Sequence, residues 1–166
     1  AGQDFRLRAL QQAKLYHFPL NEPAQLSMQE NFAALAAEEA KSDVSLSIEN
    51  RPIRAHKVAG DVVWFDFVNI CEGPRSQNDY IELATLFTTV LISNVPVLDA
   101  TREDAARRFI SLVDEFYDRR VKLILSADEG IANLYQGQRL SFEFQRTQSR
   151  LLEMQSESYL GEPHVS

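Results

Sequence analysis

Three arginines lie where a positive charge could act on a phosphate group. Arg107 and Arg108 are adjacent in a segment of helical periodicity, and Arg75 follows a Gly-Pro turn just before another predicted helix. A guanidinium in such a place can stabilise charge that develops on phosphoryl oxygens, and a helix N-terminus also attracts anions. A structural alternative stays open: Glu103 and Asp104 precede the arginine pair by four residues. Arg75 could likewise be a solvated turn residue. We name Arg75, Arg107 and Arg108 as candidates, any one of which could assist a nucleotide held elsewhere in the enzyme.

Asp114 and Glu115 end an apolar run and therefore resemble a Walker B strand, in which Asp holds Mg²⁺ and Glu polarises the attacking water. The same residues also fit the middle of an amphipathic helix. Glu115 precedes Arg119 by four residues, a favourable spacing for an ion pair on a helix. We therefore interpret both carboxylates as helix-surface groups and predict no catalytic residue in this chain.

The sequence lacks the loop that holds nucleotide phosphates. Such a loop reads Gly-x-x-x-x-Gly-Lys-Ser/Thr, because glycines let consecutive N–H groups surround a phosphate while the lysine neutralises it. Here no glycine is followed by lysine. The three histidines show no metal-ligand spacing with each other, with a carboxylate or with Cys71. We therefore expect no metal site and no nucleotide binding by this chain alone.

Trp64 and Phe65 belong to an aromatic and β-branched run that predicts a strand. Aromatic residues on a strand usually enter the core, but an exposed one can form a binding surface for a partner protein. We name the two residues as partner-binding candidates. Exposure would favour that role, and complete burial would count against it.

The hydrophobic pattern predicts an α/β fold. Alternating residues over about 43–71 indicate an antiparallel β meander. A strand–helix–strand–helix unit follows over about residues 88–135, and its two strands should be parallel because a helix connects them. A C-terminal helix is expected from about Phe144 to Tyr159.

Capping residues set the expected helix starts. Asn21, followed by Pro23, predicts a helix that ends near Ala40, whereas the preceding segment could be a strand or a short helix. Three later helices have predicted caps: Ser76 with Asp79, Thr101 with Asp104, and Asp128. We divide the chain into an N-terminal helical arm (1–42), an α/β domain (43–160) and a mobile tail (161–166).

Charge and hydropathy argue against two classes of protein, those that bind nucleic acids and those that span a membrane. The formal net charge is -7, which gives no general attraction to nucleic-acid phosphates, although a locally basic patch stays open. No apolar stretch approaches the roughly 20 residues of a membrane span, and no leader peptide is visible. The chain begins at Ala1 instead of Met, which suggests a processed or excised piece. Together with the lone Cys71, these features predict a soluble protein of a reducing, cytoplasmic compartment.

A series of short motifs runs in a fixed order through nearly the whole chain. They are Asp4-Phe5-Arg6-Leu7-Arg8, Phe65-Asp66-Phe67, Gly73-Pro74-Arg75-Ser76, Asp79-Tyr80-Ile81, Val95-Pro96-Val97, Ala106-Arg107-Arg108-Phe109-Ile110, Val113-Asp114-Glu115-Phe116-Tyr117, Val121-Lys122-Leu123, Ser126-Ala127, Phe142-Glu143-Phe144-Gln145-Arg146, Ser149-Arg150-Leu151 and Glu153-Met154-Gln155-Ser156. The series resembles the ZapE family of ATPases, which also has mitochondrial members. The first motif departs mildly, because the family usually has Tyr where this chain has Phe5.

The resemblance implies an AAA-like P-loop ATPase that uses ATP and Mg²⁺, with both Walker motifs upstream of the equivalent of Ala1. For bacterial members it implies a role in cell division with FtsZ, in the cytoplasm or at the periphery of the inner membrane. For mitochondrial members it implies handling of respiratory-chain subunits. Because this chain lacks the nucleotide-binding half, we expect that half to be its first partner and expect the chain alone to be inactive and free of cofactors.

Two functions follow as hypotheses. The leading one is the C-terminal domain of such an ATPase, which supports ATP hydrolysis and partner recognition without binding ATP alone. The alternative is an adaptor that binds a client or division-ring protein.

The unit from Thr88 to Tyr135 also has the layout of the later half of a P-loop core, with Ser93-Asn94 where Asp-Glu would end the first strand. We hypothesise a degenerate copy, which requires the two strands to be parallel.

Overall fold

The computed structural model describes residues 2–166, with side chains from residue 5 onward. Within this range the helices are α1 (Gly2–Gln12), α2 (Glu22–Leu35), α3 (Phe67–Cys71), α4 (Gln77–Leu86), α5 (Glu103–Asp118), α6 (Ser141–Glu153) and α7 (Glu157–Gly161). The strands are β1 (Tyr16–His17), β2 (Lys41–Ile48), β3 (Arg51–Ala59), β4 (Val62–Asp66), β5 (Thr89–Val95), β6 (Leu98–Asp99), β7 (Lys122–Ala127) and β8 (Tyr135–Gln136). The predicted α/β class is confirmed.

Six strands form one mixed sheet in the order β1-β7-β5-β4-β3-β2. The four strands from β1 to β4 in this order are parallel, whereas β4, β3 and β2 form the antiparallel meander. The predicted parallel pair is confirmed by the alignment of Thr89 with Lys122. Because parallel strands end at the same edge of a sheet, the residues after β4, β5 and β7 lie near one another.

The predicted meander is confirmed as far as Asp66. Its β2–β3 turn has Glu49 and Asn50 at φ values of 51° and 62°, the left-handed pair typical of a tight hairpin. Beyond Asp66 the prediction is wrong, because residues 67–71 form α3. The Asp66 carboxylate accepts a hydrogen bond from the Val68 N–H at 3.1 Å and so caps that helix.

Two predicted helix starts are confirmed. Asn21 Oδ1 accepts from the Ala24 N–H at 3.0 Å, although this helix ends at Leu35 and not at Ala40. At the start of α4, the Ser76 N–H donates to Asp79 Oδ1 at 3.1 Å, as in a capping box.

Two other predicted helix starts are wrong. The Thr101 hydroxyl and N–H both donate to Asp99, which caps a short 3₁₀ turn, and α5 begins only at Glu103. After β7 the expected helix is reduced to a 3₁₀ turn over Ile131–Asn133. Asp128 does not cap it, because its carboxylate accepts from the Val97 N–H at 3.2 Å across the strand ends.

The predicted C-terminal helix is present as two helices, α6 and α7. Ser156 separates them, and its hydroxyl oxygen accepts from the Tyr159 N–H at 3.1 Å to cap α7. The tail beyond α7 makes contacts with the rest of the chain. The Val165 N–H donates to the Arg119 carbonyl at 2.9 Å, and His164 Nε2 lies 2.6 Å from the Ala84 carbonyl oxygen.

The N-terminal segment packs on the same core as the rest of the chain. It contributes β1 to the main sheet, and Arg6 of α1 forms an ion pair with Asp61 at 2.9 Å. Burial by itself would raise the pKa of Asp61, but hydrogen bonds from Arg6 and Thr88 and the charge of Arg6 hold this pKa below its usual value. Among residues 2–166 no helix has the length and hydropathy of a membrane span.

Helix α5 supplies the largest apolar stripe. Phe109, Leu112, Val113 and Phe116 are fully buried on one side of it. Helix α5 contacts α3, α4 and α6, whereas α2 packs against β4, β5 and β7. The opposite side of α5 therefore stays available for polar residues.

Cys71, at the end of α3, is fully buried, and burial raises the pKa of its thiol well above the usual range. We expect the folded protein to react with Ellman's reagent at least about 10³-fold more slowly than free glutathione, because only an opened state exposes the sulfur. The measurement is the rate of thionitrobenzoate release, first without urea and then through the unfolding transition. Rapid labelling without urea would contradict the buried placement.

Candidate functional site

All three candidate arginines line one cavity. It has a volume of about 290 Å³ and lies between the start of α4 and the first half of α5. The lining residues are Arg75, Ser76, Gln77, Tyr80, Asp104, Arg107, Arg108 and Ser111. We call it the arginine cavity.

Helical periodicity brings the α5 residues of this cavity together. Asp104, Arg107, Arg108 and Ser111 are spaced by three or four positions and therefore share one face of α5. The apolar residues on the other side of α5 fix the rotation of the helix. Helix α4 packs beside α5 and brings its N-terminal end to the same place.

Arg75 has a structural role in this cavity. Its side chain is only 10% exposed, and it pairs with the fully buried Asp79 at 3.4 Å. Its other terminal nitrogen donates to the Pro52 carbonyl at 2.9 Å. Asp79 in turn pairs with Arg51 of β3. Arg75 therefore joins α4 to the meander and is neither a solvated turn residue nor free to reach far outward.

Arg107 and Arg108 do not form the ion pairs that spacing suggested. Glu103 instead accepts from the Tyr135 hydroxyl and from the N–H of Arg139 at 2.8 Å. Within the described residues neither arginine pairs with a carboxylate, and Arg108 makes only a long hydrogen bond of 3.4 Å to the Cys71 carbonyl. The structural alternative for the pair is therefore wrong. Arg107 is exposed and Arg108 is half-buried.

Asp114 and Glu115 lie in the interior of α5, as interpreted from the sequence, but Glu115 is buried, with an exposed fraction of 9%, and the prediction that it is a helix-surface group is wrong. Asp114 pairs with Arg150 and, at 3.1 Å, with Arg146 of α6. Glu115 pairs with Arg119 at 2.6 Å and accepts from Gln77 at 2.8 Å. Both carboxylates are therefore used in packing α5 against its neighbours.

Trp64 and Phe65 are not available as partner contacts. Their exposed fractions are 4% and 0%, and helices α2 and α3 both pack against β4. Trp64 Nε1 donates to Ser93 Oγ at 2.6 Å, and its ring lies 5.7 Å from that of Phe32. The burial of both residues counts against the role that the sequence suggested for them.

A larger cavity of about 580 Å³ lies at the carboxyl ends of the parallel strands, and sequence reasoning missed it. Helix α2 and the meander form its other walls. Its lining residues are Leu20, Asn21, Ala24, Gln25, Gln29, Asp43, Arg54, His56, Trp64, Asp66, Asn69, Ser93, Asn94 and Ser126. We call it the polar crevice. The available signal was the polar residue that follows or ends each apolar strand, because ligands of open α/β sheets bind at this edge.

Hydrogen bonds join the strand ends below the polar crevice. Asn94, with a left-handed φ of 66°, donates from Nδ2 to Asp66 at 2.7 Å and from its N–H to Ser126 Oγ at 3.0 Å. The parallel pairing of β5 and β7 meets the condition set for a degenerate P-loop core. Common descent remains a hypothesis. Among the described residues no group of three or more potential metal ligands is present.

Comparison with known proteins gives consistent relatives. Residues 1–163 match the family described as AFG1-like ATPase. The cell division protein ZapE of Escherichia coli K12 is 46% identical over 166 residues, which are 100% of this chain and 44% of that protein. Lactation elevated protein 1 homolog B of Danio rerio is 32% identical over 195 residues, covering 95% of this chain and 38% of that protein. The chain thus spans less than half the length of these relatives, and no solved structure matches it.

Proposed function

Because this chain belongs to the AFG1-like ATPase family, we propose that it is the C-terminal domain of a P-loop ATPase and supports ATP hydrolysis without binding ATP alone. The P-loop half would be the upstream part of the longer protein, since the relatives extend well beyond the matched region. The observation that carries the proposal is the arginine cavity, which Arg107 and Arg108 line without a carboxylate partner among the side chains described from residue 5 onward.

The three arginines of the cavity would have different roles. Arg75 holds α4 in place through Asp79. Arg108 is partly held by the Cys71 carbonyl, and Arg107 is exposed and able to extend toward a phosphate. ATP, bound together with Mg²⁺ by the other half, would supply the phosphoryl group that passes to water. Arg107 would then stabilise the negative charge that develops on the phosphoryl oxygens during transfer.

The cellular role is proposed by extension from the relatives. The Escherichia coli relative carries the name of a cell division protein. We extend that role to this protein and propose that it acts in the cytoplasm, near the inner membrane, with FtsZ as a partner. The adaptor alternative cannot use Trp64 or Phe65 as contacts, because both are buried. It requires another surface, for which the polar crevice is the candidate.

A fluorescent ATP analogue tests the division of labour between the two halves. We expect saturable binding of mant-ATP with Mg²⁺ to the full-length protein, displaced by unlabelled ATP. For this chain alone we expect no saturable signal at concentrations up to about tenfold above the full-length Kd, because it has no phosphate loop. Saturable and displaceable binding to the chain alone would contradict the proposal and place a phosphate site within residues 1–166.

A further inference from the structure

We propose that the polar crevice binds an extended polypeptide segment by hydrogen bonds to its backbone. The site is separate from the arginine cavity, with no lining residue in common. It requires no nucleotide, so this inference and the proposed ATPase role can succeed or fail independently.

One wall of the crevice is a row of carboxamides along α2. Asn21, the N-cap of α2, is followed at intervals of four residues by Gln25 and Gln29 within the helix, and all three line the same cavity. A helix rises about 1.5 Å per residue, so the row repeats about every 6 Å. An extended chain rises about 3.3 Å per residue, so peptide groups facing the same way repeat about every 6.6 Å. The row can therefore meet successive peptide groups on one side of an extended segment.

The carboxamides of this row have unused hydrogen-bonding capacity. Gln25 and Gln29 are exposed and, within the described residues, their side-chain carboxamides form no hydrogen bond with another protein group. Asn21 uses its oxygen to cap α2 at 3.0 Å and keeps its two N–H donors. A carboxamide presents a donor and an acceptor side by side, which complement the C=O and N–H of a peptide backbone.

The opposite wall is already held in place by internal hydrogen bonds. Ser93 accepts from Trp64, Ser126 accepts from the Asn94 N–H, and Asp66 accepts from the Asn94 side chain. A wall with this arrangement loses little conformational freedom when a ligand binds, which favours affinity. The hydroxyl protons of both serines remain available as donors to ligand carbonyl groups.

The charges of the crevice argue against an anionic ligand. Its one arginine, Arg54, lies 3.9 Å from Asp43, and Asp66 adds a second negative charge. Phosphate sites instead collect positive charge and backbone N–H groups. The volume of about 580 Å³ lies within the range of small-ligand sites and suits a short stretch of uncharged backbone.

Trp64 provides a local reporter for this site. It is the only tryptophan of the chain and lines the crevice. We expect an end-blocked peptide of eight alternating Ser and Ala residues to change the Trp64 emission saturably. A peptide that is N-methylated at every second residue loses the backbone N–H donors on one side. We expect it to bind at least about 5-fold more weakly, because the loss of one hydrogen bond has about this effect on the Kd.

Matched variants locate the contact. We expect the Gln25→Ala, Gln29→Ala double variant to weaken binding of the unmodified peptide on the order of 25-fold, because two hydrogen bonds are lost. The control is Gln145→Ala on α6, an exposed glutamine outside the crevice, which should leave the affinity unchanged. Circular dichroism melting of each variant should match that of the parent chain, because all three side chains are exposed.

Three results would overturn the proposal. One is no saturable change in Trp64 emission at millimolar peptide. Another is equal binding of the N-methylated and unmodified peptides, since backbone donors would then be irrelevant. The third is a saturable response to adenosine and none to the peptide, which would assign the carboxamides to a nucleobase instead.

Discussion

Replacement of Asp79 by alanine is expected to lower the free energy of unfolding by about 3–5 kcal/mol. The carboxylate is fully buried and accepts hydrogen bonds from Arg51, Arg75 and Ser76. Its removal would leave the 10%-exposed side chain of Arg75 without a counter-charge. An unpaired buried charge costs more than the ion pair itself contributes, so the loss should exceed that of a surface pair.

Urea unfolding followed by circular dichroism measures this effect. We expect a lower midpoint with an unchanged m value, which indicates a change in stability and not in the denatured state. Asp79→Asn keeps the size and one acceptor and should cost about 1.5–3 kcal/mol, the range for hydrogen bonds to charged groups. Glu30→Ala, an exposed position on α2, is the control and should stay within about 0.5 kcal/mol. A decrease of less than about 1 kcal/mol in the free energy of unfolding for Asp79→Ala would show that the Asp79–Arg75 ion pair is solvated.

A double-mutant cycle separates the charge from the packing. In the Asp79→Ala background, Arg75→Met removes the charge that the first substitution left unpaired. We expect Arg75→Met to lower the free energy of unfolding less in that background than in the parent chain, because the charge it removes is already unpaired there. Additive losses would mean that the two side chains act separately, in spite of the distance of 3.4 Å between them.

The role of Arg75 shows where sequence reasoning reaches its limit. The Ser76 capping box is local, so four residues were enough to predict it, and the structure confirms it. The contact of Arg75 with Pro52 spans 23 positions and depends on how the meander packs beside α4. No spacing along the chain encodes that packing. The sequence therefore identified a notable arginine but could not distinguish an anchor from a phosphate ligand.

The same distinction explains the other differences between prediction and structure. The β2–β3 hairpin was predicted because alternation and turn residues are local signals. Trp64 could not be placed, because its burial depends on the packing of the distant helix α2 against β4. Thr101 and Asp128 are residue types that often cap helices. In the structure the Thr101 N–H donates to Asp99 and the Asp128 carboxylate accepts from the Val97 N–H, and neither contact is visible from local spacing. The polar crevice is likewise formed by residues from α2, the meander and three strand ends, far apart in sequence.

The substitution Arg107→Ala is expected to lower kcat for ATP hydrolysis by the full-length protein at least about 10²-fold. The estimate is that for one preorganised donor that stabilises charge in the transition state, and arginines supplied to a transferring phosphoryl group can reach larger effects. Arg107 is a stronger candidate than Arg108, because it is exposed and has no carboxylate partner among the described residues. The measurement is steady-state phosphate release at saturating Mg²⁺ and ATP.

Stability and side-chain geometry distinguish this role from a structural one. Because Arg107 is exposed and makes no ion pair with any side chain that the structure describes, its loss should change the free energy of unfolding by less than about 0.5 kcal/mol. Arg107→Lys keeps the charge but not the planar fork, so it should recover only part of the activity. The control is Arg102→Ala. Arg102 has a side chain that is 42% exposed and lies directly before α5, and its loss should leave kcat unchanged. Unchanged turnover in Arg107→Ala would remove Arg107 from the proposed site, and equal losses of stability and turnover would return it to a structural role.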